Sequence, residues 1–133
     1  MPDHTLAFDH VHLVAKDPQA TAQWYVDKLG GSIWKSADVR GAPQVYVSVA
    51  GALVIVRGER PGESVQGKPG LEWGVDHFGL RVHGDFDSFC EGLRRKGVSF
   101  DLEPRQFNPT TRIAFIAAPD AVSIELLNRQ DVP

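Results

Sequence analysis

The chain has 133 residues, a formal net charge of −3 and a pI near 5.9. This length fits one domain, and the acidic balance without a Lys/Arg run argues against a nucleic-acid partner. The longest apolar run, "ALVIV" from Ala52, is too short to cross a bilayer, and the N-terminus lacks the apolar region of a signal peptide. Because Cys90 is the single cysteine, an internal disulfide is excluded. We expect a soluble cytoplasmic protein with no nucleic-acid or membrane partner.

One segment of the chain occurs twice. The stretch "FDHVHLVAKDPQATAQWYVDKLGG" from Phe8 aligns without a gap with "VDHFGLRVHGDFDSFCEGLRRKGV" from Val75, so that His10 aligns with His77. Each copy has an alternating strand pattern around its histidine, then apolar residues at helical spacing, then glycine. The repeat predicts two halves of the same construction, each opening with a strand and a helix.

Capping residues mark both ends of each predicted helix. Asp17 is the N-cap candidate of the first helix, Pro18 stands at its first position, and Gly30 can supply the positive φ that ends it. Asp85 and Gly97 play the same parts in the second helix. The apolar stripes that we expect to be buried are Ala22, Tyr25, Val26 and Leu29 in the first helix, and Phe86, Phe89, Cys90 and Leu93 in the second.

Three strand-like runs follow each helix. They are "GSIWKS", "QVYVSV" and "ALVIVRG" in the first half, and "VSFDLE", "TRIAFIA" and "VSIELLN" in the second, where "RQFNPTTRI" contains the predicted loop. The stretch "GERPGESVQGKPG", rich in Gly and Pro, is typical of a linker. We predict an α+β fold: two βαβββ modules forming a curved, barrel-like mixed sheet with the helices outside. A single domain over 1–133 would contain module 1 (about 7–58), a linker (about 59–73) and module 2 (about 74–130).

The first strand places two histidines on one face. Alternation puts Phe8, His10, His12 and Val14 on the same side, and we expect that side to be the buried one. A single inward histidine is more often a satisfied core residue than a ligand. The repeat favours a ligand over a core histidine, because His10 and His77 then occupy equivalent positions in the two halves.

A single acid lies in the last predicted strand. Glu125 stands among Ile and Leu residues, so it is either on a solvated face or buried beside a cation, since an uncompensated buried carboxylate is costly. Two imidazoles and one carboxylate form the facial triad that holds a divalent metal with open positions, and zinc accepts the same set. His10, His77 and Glu125 are therefore the candidate metal ligands.

The chain resembles the vicinal oxygen chelate superfamily, which includes glyoxalase I, methylmalonyl-CoA epimerase, extradiol dioxygenases, fosfomycin-resistance enzymes and bleomycin-binding proteins. The resemblance rests on "DHVHLVAKD", "VDHFGLRV" and "FIAAPDAVSIELL" and covers essentially the whole chain. It implies one divalent metal ion (Fe, Mn, Zn, Ni or Co) on His10, His77 and Glu125. The family usually has Gly where this chain has Ala121, which should slightly strain or reshape the turn without moving Glu125.

The position equivalent to Glu125 in the first half is apolar. Counting from the turn gives Ile55, or Val54 with a shift of one residue, whereas glyoxalase I and the epimerases have a carboxylate or amide there. The resemblance therefore implies three protein ligands, as in extradiol dioxygenases and fosfomycin-resistance enzymes. Phe115 stands where both of those families commonly have tyrosine, and fosfomycin resistance is not expected.

The remaining candidates share the strand face of the ligands. His12 is either a general base or a hydrogen-bonding neighbour of the metal site, and Tyr46 is a second candidate catalytic residue or else a core aromatic. Arg57 could orient a substrate anion or could simply end its strand. The predicted substrate-binding residues are Arg57, Ile55, Thr111, Ile113 and Phe115.

Three functions remain open at this stage. We favour a divalent-metal-dependent enzyme that acts on a small oxygen-rich substrate, by glyoxalase-like lyase or isomerase chemistry or by extradiol ring cleavage. The alternatives are a metal-free protein that binds a small molecule or antibiotic, as bleomycin-resistance proteins do, and a vestigial domain whose histidines only pack. The resemblance also implies a homodimer, with or without exchanged modules.

Overall fold

The computed structural model describes residues 7–67 and 74–130. The chain divides into two compact units, Met1–Val65 and Gln66–Pro133. The division falls inside the predicted linker, of which residues 68–73 lie outside the described residues. No helix within the described ranges is long and apolar enough to span a membrane.

The described part of the first unit contains a four-stranded mixed sheet and one helix. In chain order the elements are β1 (His10–Val14), α1 (Pro18–Leu29), β2 (Ser32–Val39), β3 (Ala42–Val49) and β4 (Ala52–Arg57). The strand order is β1-β4-β3-β2, with β1 parallel to β4 and the other neighbours antiparallel. This is one βαβββ module.

The described part of the second unit repeats the design. Its elements are β5 (Phe78–Arg81), α2 (Phe86–Arg95), β6 (Phe100–Asn108), β7 (Thr111–Ala117), a 3₁₀ turn (Pro119–Ala121) and β8 (Ser123–Arg129). The strand order β5-β8-β7-β6 and the parallel β5–β8 pair match the first unit strand for strand. The predicted α+β class with two βαβββ modules is confirmed.

The helix ends follow the capping rules. Asp17 accepts a hydrogen bond from the Ala20 amide at 3.1 Å, Pro18 is the first residue of α1, and Gly30 ends it at φ 72°. Asp85 accepts from the Ser88 amide at 3.0 Å at the start of α2. These predictions are confirmed because caps depend on local sequence alone.

The apolar stripes of the helices are largely buried. Tyr25 and Ala22 of α1 are fully buried, as are Cys90 and Leu93 of α2 to within a few per cent. Phe89 departs from the prediction because it is 39% exposed. At about 100° per residue, Phe89 lies farther from the centre of the stripe than the buried Phe86, Cys90 and Leu93.

The expectation that Phe8, His10, His12 and Val14 are buried is wrong. His10 and His12 are exposed, and Phe8 on the same side is 80% exposed. The opposite face of this sheet forms the core, because Val11 pairs with Val54, which in turn pairs with Val47, and both of these partners are buried. Helix α1 packs against one face of this sheet, and the buried valines of β3 and β4 lie on that face.

The predicted loop before β7 is shorter than expected. Residues 105–108 of "RQFNPTTRI" belong to β6, which pairs with β7 as far as Asn108–Thr111. The strand has register shifts, so its alternation is broken and the sequence looks like a loop.

Candidate metal site

The second unit brings two of the predicted ligands together. His77 immediately precedes β5, and the parallel pairing of Gly79 with Glu125 sets that strand beside β8. His77 Nε2 lies 3.0 Å from Glu125 Oε1. Both side chains are partly exposed, at 30% and 17%, so an ion from solvent could reach them.

A carboxylate fixes the other side of the same imidazole. Asp76 Oδ2 lies 2.7 Å from His77 Nδ1, which orients the ring and directs Nε2 toward Glu125. The hydrogen bond with Asp76 is the largest influence on the pKa of His77 and raises it. Desolvation comes next and lowers it, and the hydrogen bond and charge of Glu125 raise it further. The Phe115 ring contacts the His77 ring edge-on at 4.9 Å between centroids and restricts it further.

This pair has the spacing of two ligands on one ion. Two donor atoms that each lie about 2.1 Å from an ion at a right angle are about 3.0 Å apart. Glycine at position 79, which pairs with Glu125, leaves space beside that carboxylate. A Cβ at Gly79 would lie 3.0 Å from Leu127 Cδ1 and 3.9 Å from Glu125 Cβ. The donor set of one imidazole and one carboxylate therefore fits a divalent transition metal.

The first unit repeats the aspartate–histidine pair. Asp9 Oδ2 lies 2.6 Å from His10 Nδ1, the same contact that Asp76 makes with His77. It leaves His10 Nε2 as the available nitrogen. His10 belongs to the first unit, and its part as third ligand stays a prediction. Within each described unit no group of three or more His, Cys, Asp or Glu side chains is placed to hold a metal.

The strand pairings identify the residue that replaces a fourth ligand. Ile55 pairs with His12 on β1 and with Tyr46 on β3. Glu125 pairs in the same way with Gly79 and Phe115. Ile55 is therefore the counterpart of Glu125, in agreement with the count made from the sequence. The same pairings make Tyr46 the counterpart of Phe115, so the phenolic hydroxyl missing at Phe115 is present at the equivalent position of the first unit.

A polar network surrounds Tyr46. Gln44 Nε2 donates to Tyr46 Oη at 2.7 Å, and Arg60 Nη2 donates to Gln44 Oε1 at 3.3 Å. Arg57 Nη1 donates to Glu63 Oε1 at 2.6 Å. Desolvation lowers the pKa of His12 most, and the charges of His10, Arg57 and Arg60 lower it further.

The other predicted substrate-binding side chains are mostly covered. Ile55, Thr111 and Ile113 are 6%, 4% and 7% exposed, so each would offer a substrate little surface. Thr111 pairs with Arg129, four residues beyond Glu125. Phe115 differs from these three because it is partly exposed and contacts His77. The roles of all four residues stay predictions.

Sequence reasoning missed several residues of these networks. Asp9 and Asp76 align in the repeat, and the twice-occurring Asp-His pair was the signal that could have found them. Gln44 and Arg60 gave no such signal, because their contact joins residues sixteen positions apart.

Comparison with protein-family models decides the family. The model described as Glyoxalase/Bleomycin resistance protein/Dioxygenase superfamily matches residues 7–126. The chain belongs to this superfamily. Among curated proteins, the comparison finds no match to the sequence.

Solved structures of the Glyoxalase/Bleomycin resistance protein/Dioxygenase superfamily share the fold. A glyoxylase/bleomycin resistance protein/dioxygenase domain from Frankia sp. EAN1pec has a TM-score of 0.77 at 19% identity, over 96% of this chain and 100% of that chain. A glyoxalase family protein from Enterococcus faecalis has 0.75 at 18%, over 92% and 97%. The fosfomycin resistance protein FosX from Listeria monocytogenes has 0.74 at 17%, over 96% and 97%. FosX has also been solved with Mn(II) and sulfate. At these identities the likeness establishes the fold.

Proposed function

We propose that this chain is a divalent-metal-dependent enzyme acting on a small oxygen-rich substrate. His77 and Glu125 would hold the ion, with His10 as the third protein ligand. The observation that carries the proposal is the 3.0 Å approach of His77 Nε2 to Glu125 Oε1, with Asp76 fixing the opposite ring nitrogen.

The bound ion would act as a Lewis acid toward substrate oxygens. The chain's own residues prepare that site. Asp76 holds His77 in one orientation and favours the tautomer with Nδ1 protonated, so that Nε2 can bind an ion. Asp9 does the same for His10. With an apolar Ile55 in place of a fourth protein ligand, positions would remain open for substrate.

Tyr46 is the catalytic candidate that the contacts support best. Its hydroxyl accepts a hydrogen bond from Gln44, which leaves its own proton available to a substrate oxygen. Both glyoxalase-like lyase or isomerase chemistry and extradiol ring cleavage are compatible with this donor. His12 remains the predicted acid–base residue, and a homodimer remains the predicted assembly.

Metal binding is the first test. Chelator-stripped protein is titrated with Mn(II) by calorimetry, because FosX has been solved with that ion. We expect one equivalent to bind to the wild type. His77→Ala and Glu125→Gln should each weaken binding by more than about a hundredfold, and Asp76→Ala, which removes only the orienting contact, by about 10–100-fold. His83→Ala removes an exposed imidazole outside the site and is the matched control.

The same titration includes His10→Ala. A loss comparable with that of His77→Ala supports three ligands, and an unchanged affinity refutes the assignment of His10. Less than about a tenth of an equivalent on the wild type with Fe, Mn, Zn, Ni or Co would refute the metal-dependent function, because such donor sets bind these ions readily. The metal-free binding protein would then take its place.

Reaction class is tested on the loaded protein. One sample is reconstituted anaerobically with Fe(II) and assayed for oxygen uptake with a panel of catechols. Others, loaded with Zn(II), Ni(II) or Mn(II), are assayed for turnover of hemithioacetals. We expect turnover in one assay and its loss in Glu125→Gln, and no turnover in either would contradict the enzyme proposal for these substrate classes.

A further inference from the structure

A group of polar side chains surrounds Tyr46 on the first unit and contains no metal ligand. We call it the cationic corner and define it as Lys35, Gln44, Tyr46, Arg57 and Arg60. Tyr46 lies on the sheet face that carries His12, since both pair with Ile55. Lys35 and Gln44 contact the Tyr46 side chain, Arg60 contacts Gln44, and Arg57 pairs with Gln44 across β3 and β4.

Arg60 is the unusual member. Its side chain is only partly exposed, and its Nε is buried with no hydrogen-bond partner in the described residues. Its side-chain contact is with a neutral amide, Gln44 Oε1, at 3.3 Å. A guanidinium that is partly removed from water is costly unless an anion accompanies it.

The neighbouring acid forms its ion pair with Arg57 and acts on the Arg60 side chain only through its charge, without a direct bond. Glu63 Oε1 accepts a hydrogen bond from Arg57 Nη1 at 2.6 Å and another from the backbone amide of Arg60 at 2.7 Å. The carboxylate therefore neutralises Arg57 and fixes the backbone at residue 60. The charge on the Arg60 side chain remains without a carboxylate partner among the described ion pairs.

Tyr46 and Arg60 are joined through one side chain. Gln44 donates to Tyr46 Oη and accepts from Arg60, so it holds the hydroxyl and the guanidinium in fixed relation. Lys35 Nζ lies 4.6 Å from the Tyr46 ring centre and 4.7 Å from that of Trp34, which is 64% exposed. Two donors, a second cation and an exposed indole thus lie close together.

We propose that the cationic corner binds a carboxylate group of the substrate. Arg60 would pair with the charge, the Tyr46 hydroxyl would donate to one oxygen, and Trp34 would contact a planar part of the same molecule. The inference rests on the proposed function and narrows its substrate class to anionic, oxygen-rich compounds. It assigns Arg60 as a specificity-determining residue.

The test uses benzoate and its neutral counterpart benzamide on chelator-stripped protein. Binding is followed by NMR through the Arg side-chain Nε–H and Trp indole N–H signals. We expect benzoate to shift the Arg60 and Trp34 signals and benzamide to bind at least about tenfold more weakly, since a charge-assisted hydrogen bond is roughly twice as strong as a neutral one.

Matched variants assign the contact. Arg60→Gln should weaken benzoate binding about tenfold, and Tyr46→Phe should weaken it by a smaller factor of about threefold. Arg95→Gln makes the same charge change on the exposed end of α2 and should leave benzoate binding unchanged. Arg60→Lys keeps the charge and should retain most of the affinity, which guards against a folding defect in Arg60→Gln.

Equal affinities for benzoate and benzamide, or wild-type affinity in Arg60→Gln, would overturn the inference. Equal losses in Arg60→Lys and Arg60→Gln would overturn the assignment to charge. The outcome is separable from the metal test, because these titrations contain no metal and the metal titrations contain no anion that resembles a substrate. If the protein binds benzoate through Arg60 but binds no metal, the carboxylate-binding site is supported and the proposed metal-dependent function is refuted.

Discussion

The turn before Glu125 carries a backbone conformation that its residue does not favour. Ala121 has a φ of 63°, in the left-handed region, and its side chain is exposed. That conformation costs an L-residue about 1–2 kcal/mol, whereas glycine adopts it freely. Replacing Ala121 with Gly also costs about 0.4–1 kcal/mol of stability, because glycine increases the entropy of the unfolded chain. We expect Ala121→Gly to stabilise the protein by about 0.8 kcal/mol, the difference between the midpoints of these two ranges.

Thermal unfolding measures this gain. For 133 residues the unfolding entropy is about 0.28 kcal/mol/K, so the Tm should rise by about 2–4 °C. Ala37→Gly, at an exposed position within β2, is the control and should lower stability by about 0.5–1 kcal/mol. Metal affinity should not change in Ala121→Gly, since the turn precedes the ligand strand. A Tm equal to or below that of the wild type would refute the reasoning.

Three further predictions concern the fold. Asp17→Ala should cost about 1 kcal/mol in the unfolding free energy, measured by urea denaturation, because it removes the N-cap of α1; no change would contradict the cap. Gly31→Ala should cost about 1–3 kcal/mol in the same assay, because its Cβ would lie 2.9 Å from Val49 Cγ2 and 3.0 Å from the Ser48 carbonyl oxygen. Burial raises the pKa of the Cys90 thiol to about 11, so at pH 8 a disulfide reagent should label it only after denaturation; rapid labelling of the native protein would contradict its burial.

The sequence was sufficient wherever the signal was local or repeated. Asp17 and Asp85 cap helices through bonds that reach three residues along the chain, and the gapless repeat set the two modules. The repeat also located Ile55 as the counterpart of Glu125, because turn position and strand alternation together fix a register.

The sequence was insufficient where tertiary contacts decide. Alternation shows which residues share a face but not which face is covered. It therefore predicts His10 and His12 on the buried side, although the valines occupy that side. The register shifts of β6 break the alternation of its last residues, so the sequence predicts a loop there. The contact of Arg60 with Gln44 depends on how the segment after β4 folds back, which no local pattern specifies.

Diffraction from crystals of the chelator-stripped protein soaked in Co(II), recorded at the cobalt edge, tests the central assignment most directly. An anomalous peak at about 2.0–2.2 Å from both His77 Nε2 and a Glu125 carboxylate oxygen is the result we predict. A map in which those two atoms keep their hydrogen bond, with cobalt bound at other side chains or at none, would contradict it.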